Sequence, residues 1–151
     1  MKNIGKVIEI FSADKNSSGF PRPQVEQLDL IESYGIKHDK FAGKNENKAV
    51  MIVGLKAYNI AKENNIDLEY GSFGENILFD FDPHDYKVGR IFYINDIKLQ
   101  VTQNCTICNH LAIFSDDLPF LVREHRGLYC KILSGGIITK ENIVYTKEKV
   151  L

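Results

Sequence analysis

The sequence contains few of the residues that mark special protein classes. It has three cysteines, four prolines, no tryptophan and no long apolar run. Its longest nearly apolar stretches, residues 49–55 and 91–94, are far shorter than the roughly 20 residues that cross a bilayer. Residues 1–16 alternate apolar and polar side chains without a cleavable apolar segment. We therefore expect a cytoplasmic protein that has no membrane partner.

Neither sign of charge is in excess. Nineteen Lys and Arg face twenty Asp and Glu, which gives a formal net charge of -1. A nucleic-acid-binding domain normally carries a broad basic surface, so this balance argues against nucleic acid as a partner. The odd number of cysteines and a length of 151 residues, sufficient for a hydrophobic core, argue against a disulfide scaffold. We interpret residues 1–151 as one domain.

Short apolar segments separated by turn residues predict a mainly β fold. We predict strands over residues 4–12, 24–34, 77–81, 128–133 and 137–145, and a hairpin of residues 88–93 and 97–102 around Asn95 and Asp96. Helical spacing predicts a helix over 55–64. A second, shorter helix is predicted over 117–124, where residues 115–117 can cap its first turn. The expected architecture is a β-barrel with a few short helices.

The segment CTICNH, residues 105–110, is the densest group of nucleophilic and titratable side chains. A cysteine reacts as the thiolate, which nearby cations such as Arg126 stabilise. Three alternatives stay open from spacing alone. Cys108 and Cys130 can be small buried hydrophobes, Cys105 and Cys108 can form a redox pair, or Cys105, Cys108 and Cys130 can hold structural zinc. We expect no metal site, because a second regular pair of ligands is absent from the sequence.

Two glycine-containing loops are further candidates for binding. The string GSFGEN, residues 71–76, can turn backbone N–H groups towards an anion, although it also reads as an ordinary turn into the next strand. The string GIKHDKFAG, residues 35–43, contains Asp39, and nearby lysines including Lys48 can form a basic rim for phosphate. Its alternative is a solvent-facing loop.

Taken in order, GIKHDKFAG, NKAV (residues 47–50), GSFGEN, VTQNCTIC (101–108) and GLYCKILSGGIITKENI (127–143) resemble the MOSC family, whose domains are similar to the C-terminal part of molybdenum cofactor sulfurase. The resemblance implies a barrel-like β fold and a cysteine that carries sulfane sulfur, which corresponds to Cys108. Cys105 stands where the family pattern has an arginine. The resemblance also implies molybdenum-ion, molybdenum cofactor and pyridoxal phosphate binding as family properties.

Two functions follow as hypotheses. In the first, Cys108 accepts sulfur as a persulfide from a donor such as a cysteine desulfurase, Cys105 resolves it, and the molybdenum cofactor or its enzyme is the acceptor. In the second, the domain only binds the molybdenum cofactor or another phosphorylated small molecule. Whether the protein is an enzyme stays open. In both, the expected cofactor-binding residues are Gly71, Phe73, Gly74, Glu75, Asn76, Asp39, Lys48 and Arg126.

Overall fold

The computed structural model of the chain describes residues 1–105 and 109–147. Within them the chain forms ten strands, two α-helices and three 3-10 turns. The strands are β1 Lys2–Ile10, β2 Leu28–Ile31, β3 Gly35–Ile36, β4 Val50–Gly54, β5 Ile77–Phe79, β6 Ile91–Ile94, β7 Ile97–Asn104, β8 Leu128–Ser134, β9 Gly136–Ile138 and β10 Ile143–Thr146. The helices are α1 Leu55–Glu63 and α2 Leu118–Leu121, and the 3-10 turns are Glu46–Lys48, Pro83–Asp85 and Asn109–Ile113. No helix in this part of the chain is long and apolar enough to span a bilayer.

Seven of these strands close into a barrel in the order β1, β10, β6, β7, β8, β4, β5, with β5 pairing back to β1. Neighbouring strands are antiparallel except β4 and β5, which run parallel and are joined through α1. A second sheet of three strands has the order β3, β2, β9. The prediction of a mainly β, barrel-like fold with short helices is confirmed.

The barrel wall is buried on both faces at β4, because successive side chains of a strand point to opposite sides. Val50 and Ile52 belong to the apolar cluster inside the barrel, whereas Met51 and Val53 belong to a second cluster outside it. Helix α1 covers that outer cluster with Ala57 and other apolar side chains. The candidate site lies next to this outer cluster.

Several predicted boundaries differ from the observed ones. The segment 137–145 is two strands in different sheets, because a turn at Thr139–Asn142, with Glu141 at φ +69°, separates β9 from β10. The strand predicted over 24–34 is regular only at Leu28–Ile31, and the helix predicted over 117–124 is reduced to Leu118–Leu121. The hairpin of β6 and β7 around Asn95 and the helix α1 agree closely with the prediction.

Candidate functional site

A cavity of about 310 Å³ lies where the end of β7, the start of β8, the loop 71–76 and the loops before β2 and β4 meet. This volume is at the lower end of the range for small-molecule sites. Its described lining residues are Ala13, Phe20, Arg22, Asp39, Phe41, Lys44, Asn45, Lys48, Ala49, Met51, Phe73, Gly74, Asn76, Cys105, His110 and Tyr129. Asp39, Lys48, Phe73, Gly74, Asn76 and Cys105 are among the residues that the sequence suggested, and the fold brings them to one place.

One wall of the cavity carries a sulfur atom between a cation and a phenol. Cys105 follows β7 directly, and its backbone N–H donates to the carbonyl of Gly127, 3.0 Å away. The Nη2 atom of Arg126 lies 3.5 Å from Sγ of Cys105, and the hydroxyl of Tyr129 lies 3.7 Å from the same sulfur. The thiol donates in this second contact, and burial, followed by the neighbouring Cys105, raises the pKa of Tyr129 to about 12, so the hydroxyl of Tyr129 keeps its proton at physiological pH.

Arg126 is a buried cation. It is 5% exposed, and burial lowers the pKa of its guanidinium. Its Nε atom has no hydrogen-bond acceptor, and within residues 1–105 and 109–147 no carboxylate lies within 4.0 Å of the guanidinium. A buried charge without a counterion is costly, so this position favours an anion.

Three further cations lie around the cavity, each over an aromatic ring. The guanidinium carbon of Arg22 is 4.3 Å from the centre of the Phe20 ring. The ammonium of Lys44 is 5.8 Å from the Phe41 ring centre, and that of Lys48 is 5.5 Å from the ring of Tyr129. In the described part of the chain none of these three forms an ion pair. Their positive charge remains available to an anionic ligand.

Asp39 is the carboxylate among the described lining residues, and its oxygens are already occupied. Oδ1 accepts from the hydroxyl of Ser12 at 2.8 Å and from the N–H of Ala13 at 3.3 Å, while Oδ2 accepts from the N–H of Phe41 at 3.0 Å. These bonds fix the predicted loop 35–43 against the chain that follows β1. Asp39 therefore shapes the cavity, and its charge also acts on the rim cation Arg22, where it partly opposes the lowering of the pKa by burial.

The loop 71–76 contributes three residues to the cavity. Phe73, Gly74 and Asn76 line it. Asn76 also joins two strands, because its Oδ1 accepts from the N–H of Met51 at 2.9 Å and its Nδ2 donates to the carbonyl of Phe11 at 3.2 Å. The amide of Asn76 thus holds the wall of the cavity in place.

Glu75 points to the other side of the same loop. Its Oε2 accepts from the hydroxyl of Tyr58 in α1 at 2.5 Å, and the N–H of Gly71 donates to that hydroxyl oxygen at 2.8 Å. The side chain is fully buried, its Oε1 has no hydrogen-bond partner among the residues that the structure describes, and burial raises the pKa of Glu75 to about 7. The structure therefore places Glu75 and Gly71 behind the cavity wall, in contact with α1.

The cysteines differ in their surroundings. Cys130 faces the interior of the barrel, where burial raises the pKa of its thiol, as the interpretation of a small buried hydrophobe requires. Cys105 belongs to the outer cluster. Cys108 lies outside the described residues. In residues 1–105 and 109–147, no three His, Cys, Asp or Glu side chains converge in a manner that holds a metal ion.

Phe20, Arg22 and Tyr129 line the cavity but were not predicted as site residues, whereas His110 belongs to the predicted segment CTICNH. The rings of His110 and Phe20 stack with 3.9 Å between their centres, and burial lowers the pKa of His110, with a smaller effect from Arg22. Phe20 and Arg22 stand in the segment NSSGFPRP, which reads as a loop; its signal was an aromatic ring and a cation among turn residues. Tyr129 precedes the buried Cys130, so strand alternation places it on the opposite face.

Comparison with known proteins identifies relatives of the whole fold. The profile of the MOSC domain matches residues 38–145. The crystal structure of the YuaD protein from Bacillus subtilis superposes with a TM-score of 0.77 at 17% identity, covering 95% of this chain and 96% of that one. YiiM from Escherichia coli superposes with a TM-score of 0.70 at 18% identity, covering 97% of this chain and 71% of its own. YiiM from Geobacillus stearothermophilus gives 0.68 at 18% identity, over 97% and 75% of the two chains. No curated protein matches the sequence.

Proposed function

Because this chain belongs to the MOSC domain family, we propose that it handles sulfur in molybdenum cofactor metabolism and carries sulfane sulfur as a persulfide on Cys108. The observation that supports this most directly is the contact between the buried guanidinium of Arg126 and the sulfur of Cys105, in the wall of a cavity with a cationic rim. Cys105 is only three residues from Cys108 in sequence. Both thiols therefore belong to one short segment of the sequence, and the described one of them, Cys105, contacts a cation.

In the loading step, the thiolate of Cys108 attacks the outer sulfur of the donor's persulfide. A sulfur–sulfur bond forms at Cys108, the sulfur–sulfur bond of the donor breaks, and the donor leaves as a thiolate, so no net oxidation occurs. In the release step, the thiolate of Cys105 attacks Sγ of Cys108, forms a disulfide and expels hydrosulfide. A cellular dithiol then reduces the disulfide. Arg126 stabilises the sulfur anion at Cys105, and Tyr129 donates a hydrogen bond to it.

The residues of the cavity also fit a phosphorylated heterocycle such as the molybdenum cofactor. Arg22, Lys44 and Lys48 supply positive charge at the rim, and the aromatic ring of Phe73 contributes an apolar part of the wall. The cofactor, as the substrate of the domain, would accept the sulfur. The side chains described here bind and orient that substrate, and they reduce its contact with water.

Loading is tested by incubating the protein with a cysteine desulfurase and cysteine and measuring the intact mass. We expect a gain of about 32 Da, one sulfur atom, on the wild type and no gain on Cys108→Ser. Cys105→Ser is expected to load but to release sulfur slowly. Cys130→Ser is the matched control and should load like the wild type, because Cys130 faces the barrel interior. An unloaded wild type, or equal gain on Cys108→Ser, would reject the proposed function.

A second function, binding without sulfur transfer, is favoured by the three rim cations, which form no ion pair within the described part of the chain. It predicts that Cys108→Ser binds the molybdenum cofactor with unchanged affinity in calorimetry. Gly74→Val is expected to weaken binding by about tenfold or more. A Cβ at Gly74 would lie 3.2 Å from Cε1 of Phe20, in the wall of the cavity.

Gly89→Val is the control for Gly74→Val. Gly89 has a similarly positive φ of +96°, against +82° for Gly74, but a Cβ there meets no atom within 4 Å. Both substitutions strain the backbone, and only the one at Gly74 intrudes on the cavity. Equal weakening by the two variants, or unchanged binding by Gly74→Val, would contradict the cavity as the binding site.

A further inference from the structure

The residues on either side of Arg126 are held by one turn of the chain. The 3-10 turn Pro83–Asp85 follows β5, and Asp82 is its cap residue. These residues are not among the described residues that line the cavity. Oδ2 of Asp82 is 2.6 Å from Nδ1 of His125, the residue before Arg126. Nε2 of His84 accepts from the N–H of Gly127 at 3.0 Å, the residue after Arg126. The two neighbours of Arg126 are therefore fixed from the same side.

The turn itself is fixed by the same carboxylate. Oδ1 of Asp82 accepts from the backbone N–H of His84 at 2.9 Å, so one carboxylate supports the turn and contacts His125 at the same time. Gly127 then passes the arrangement on, because its carbonyl accepts from the N–H of Cys105 at 3.0 Å. Asp82 and His84 are thus connected to Arg126 through its two chain neighbours, and to Cys105 through the hydrogen bonds of Gly127.

The protonation that this arrangement requires agrees with the surroundings of His84. To accept from Gly127, Nε2 must be unprotonated. Burial lowers the pKa of His84, and the nearby charge of His125 acts in the same direction, whereas Asp82 and Asp85 act against it. His84 is therefore neutral and a competent acceptor at physiological pH.

We propose that Asp82 and His84 are positioning residues that hold the guanidinium of Arg126 against the sulfur of Cys105. This inference rests on the proposed function, in which the guanidinium of Arg126 stabilises the sulfur anion at Cys105. Arg126 has no carboxylate partner within the described residues to orient it. Its orientation is set by the backbone on both sides, which this turn holds.

The test uses a readout that separates charge from access. In a Cys108→Ser background, Cys105 is alkylated with iodoacetamide at about pH 7 and about pH 9.5, and the rates are compared by peptide mass. A change in access alters both rates alike, whereas lost stabilisation of the anion lowers only the rate at the lower pH. The ratio of the two rates is thus the quantity to compare.

We expect Arg126→Met to lower this ratio by about tenfold, the value of one charge-assisted hydrogen bond. Asp82→Asn and His84→Leu should lower it by about threefold or more. His84→Gln should restore it, because Oε1 of glutamine can accept where Nε2 of histidine did. Asp85→Asn, an exposed change in the same turn, should leave it at the wild-type value.

The outcomes distinguish the two proposals. Wild-type ratios for Asp82→Asn and His84→Leu, with a lowered ratio for Arg126→Met, would overturn the positioning role and leave the proposed function standing. A ratio for His84→Gln as low as that of His84→Leu would also overturn it. An unchanged ratio for Arg126→Met would show that the guanidinium does not stabilise the sulfur anion, which would overturn the positioning role and the part of Arg126 in the proposed function. Failure of the wild type to take up sulfur from the desulfurase would overturn the proposed function without altering these ratios.

Discussion

Glu75→Gln is expected to remove about 3 kcal/mol of pH dependence from the stability of this protein. The carboxyl is fully buried, burial raises its pKa from 4.5 to about 7, and its Oε1 has no hydrogen-bond partner among the described residues. Glutamine has nearly the same shape and keeps an oxygen for the hydroxyl of Tyr58, but it cannot ionise. The difference between the two proteins therefore isolates the free energy of ionising a carboxyl at this position.

The direction follows from which state holds the proton. Below about pH 4.5 the carboxyl is protonated in both the folded and the unfolded chain, so its ionisation contributes nothing. Between pH 4.5 and about 7 the unfolded chain has released the proton and the folded chain retains it, so stability falls as the pH rises. Above about pH 7 the full loss is present. Relative to the wild type, Glu75→Gln should gain stability across this window.

The measurement is urea unfolding of both proteins at a series of pH values from about 4 to about 8.5, compared as a difference at each pH. Glu69→Gln is the matched control, because it removes an exposed carboxyl from the same loop, and its difference should stay within about 0.5 kcal/mol. A difference for Glu75→Gln that does not change with pH would mean that the buried carboxyl is compensated by a contact beyond the hydrogen bond from Tyr58.

The loop that contains Glu75 shows how far the sequence could be interpreted. The string GSFGEN was predicted to line a site, and Phe73, Gly74 and Asn76 do line the cavity. Glu75 does not, because its carboxylate turns towards α1, where it accepts from the hydroxyl of Tyr58. Its partner Tyr58 comes from α1, and no local pattern indicates a contact across 17 positions. The residue types in this loop indicated a site, whereas the side of the loop that each side chain faces depends on packing against α1.

In the fold as well, local features could be predicted from the sequence and long-range contacts could not. Apolar alternation and turn residues predicted the β-barrel class, the hairpin of β6 and β7 and the helix α1. The closing pairs were not predictable, because β1 pairs with β10 at the other end of the chain. The candidate site depends on such distant pairing. The register of β7 with β8, in which Asn104 pairs with Leu128, brings Cys105 and Arg126 together.

The contact between Cys105 and Arg126 sets function against stability, and Arg126→Met should alter both in opposite directions. Methionine fills a similar volume without charge, so the variant removes a buried cation that has no carboxylate partner in residues 1–105 and 109–147. Replacing a poorly compensated buried charge by an apolar side chain is expected to raise the free energy of unfolding by about 1–3 kcal/mol.

The release of hydrosulfide from the loaded protein is expected to slow by about tenfold or more in Arg126→Met, because the thiolate of Cys105 that attacks in this step loses its cation. The matched control is Arg123→Met, which removes an exposed guanidinium three positions earlier and should change either quantity little. Urea unfolding and the rate of hydrosulfide release are measured on the same preparations. A loss of stability in Arg126→Met would show that the guanidinium has a net stabilising partner, and an unchanged release rate would separate it from the sulfur chemistry.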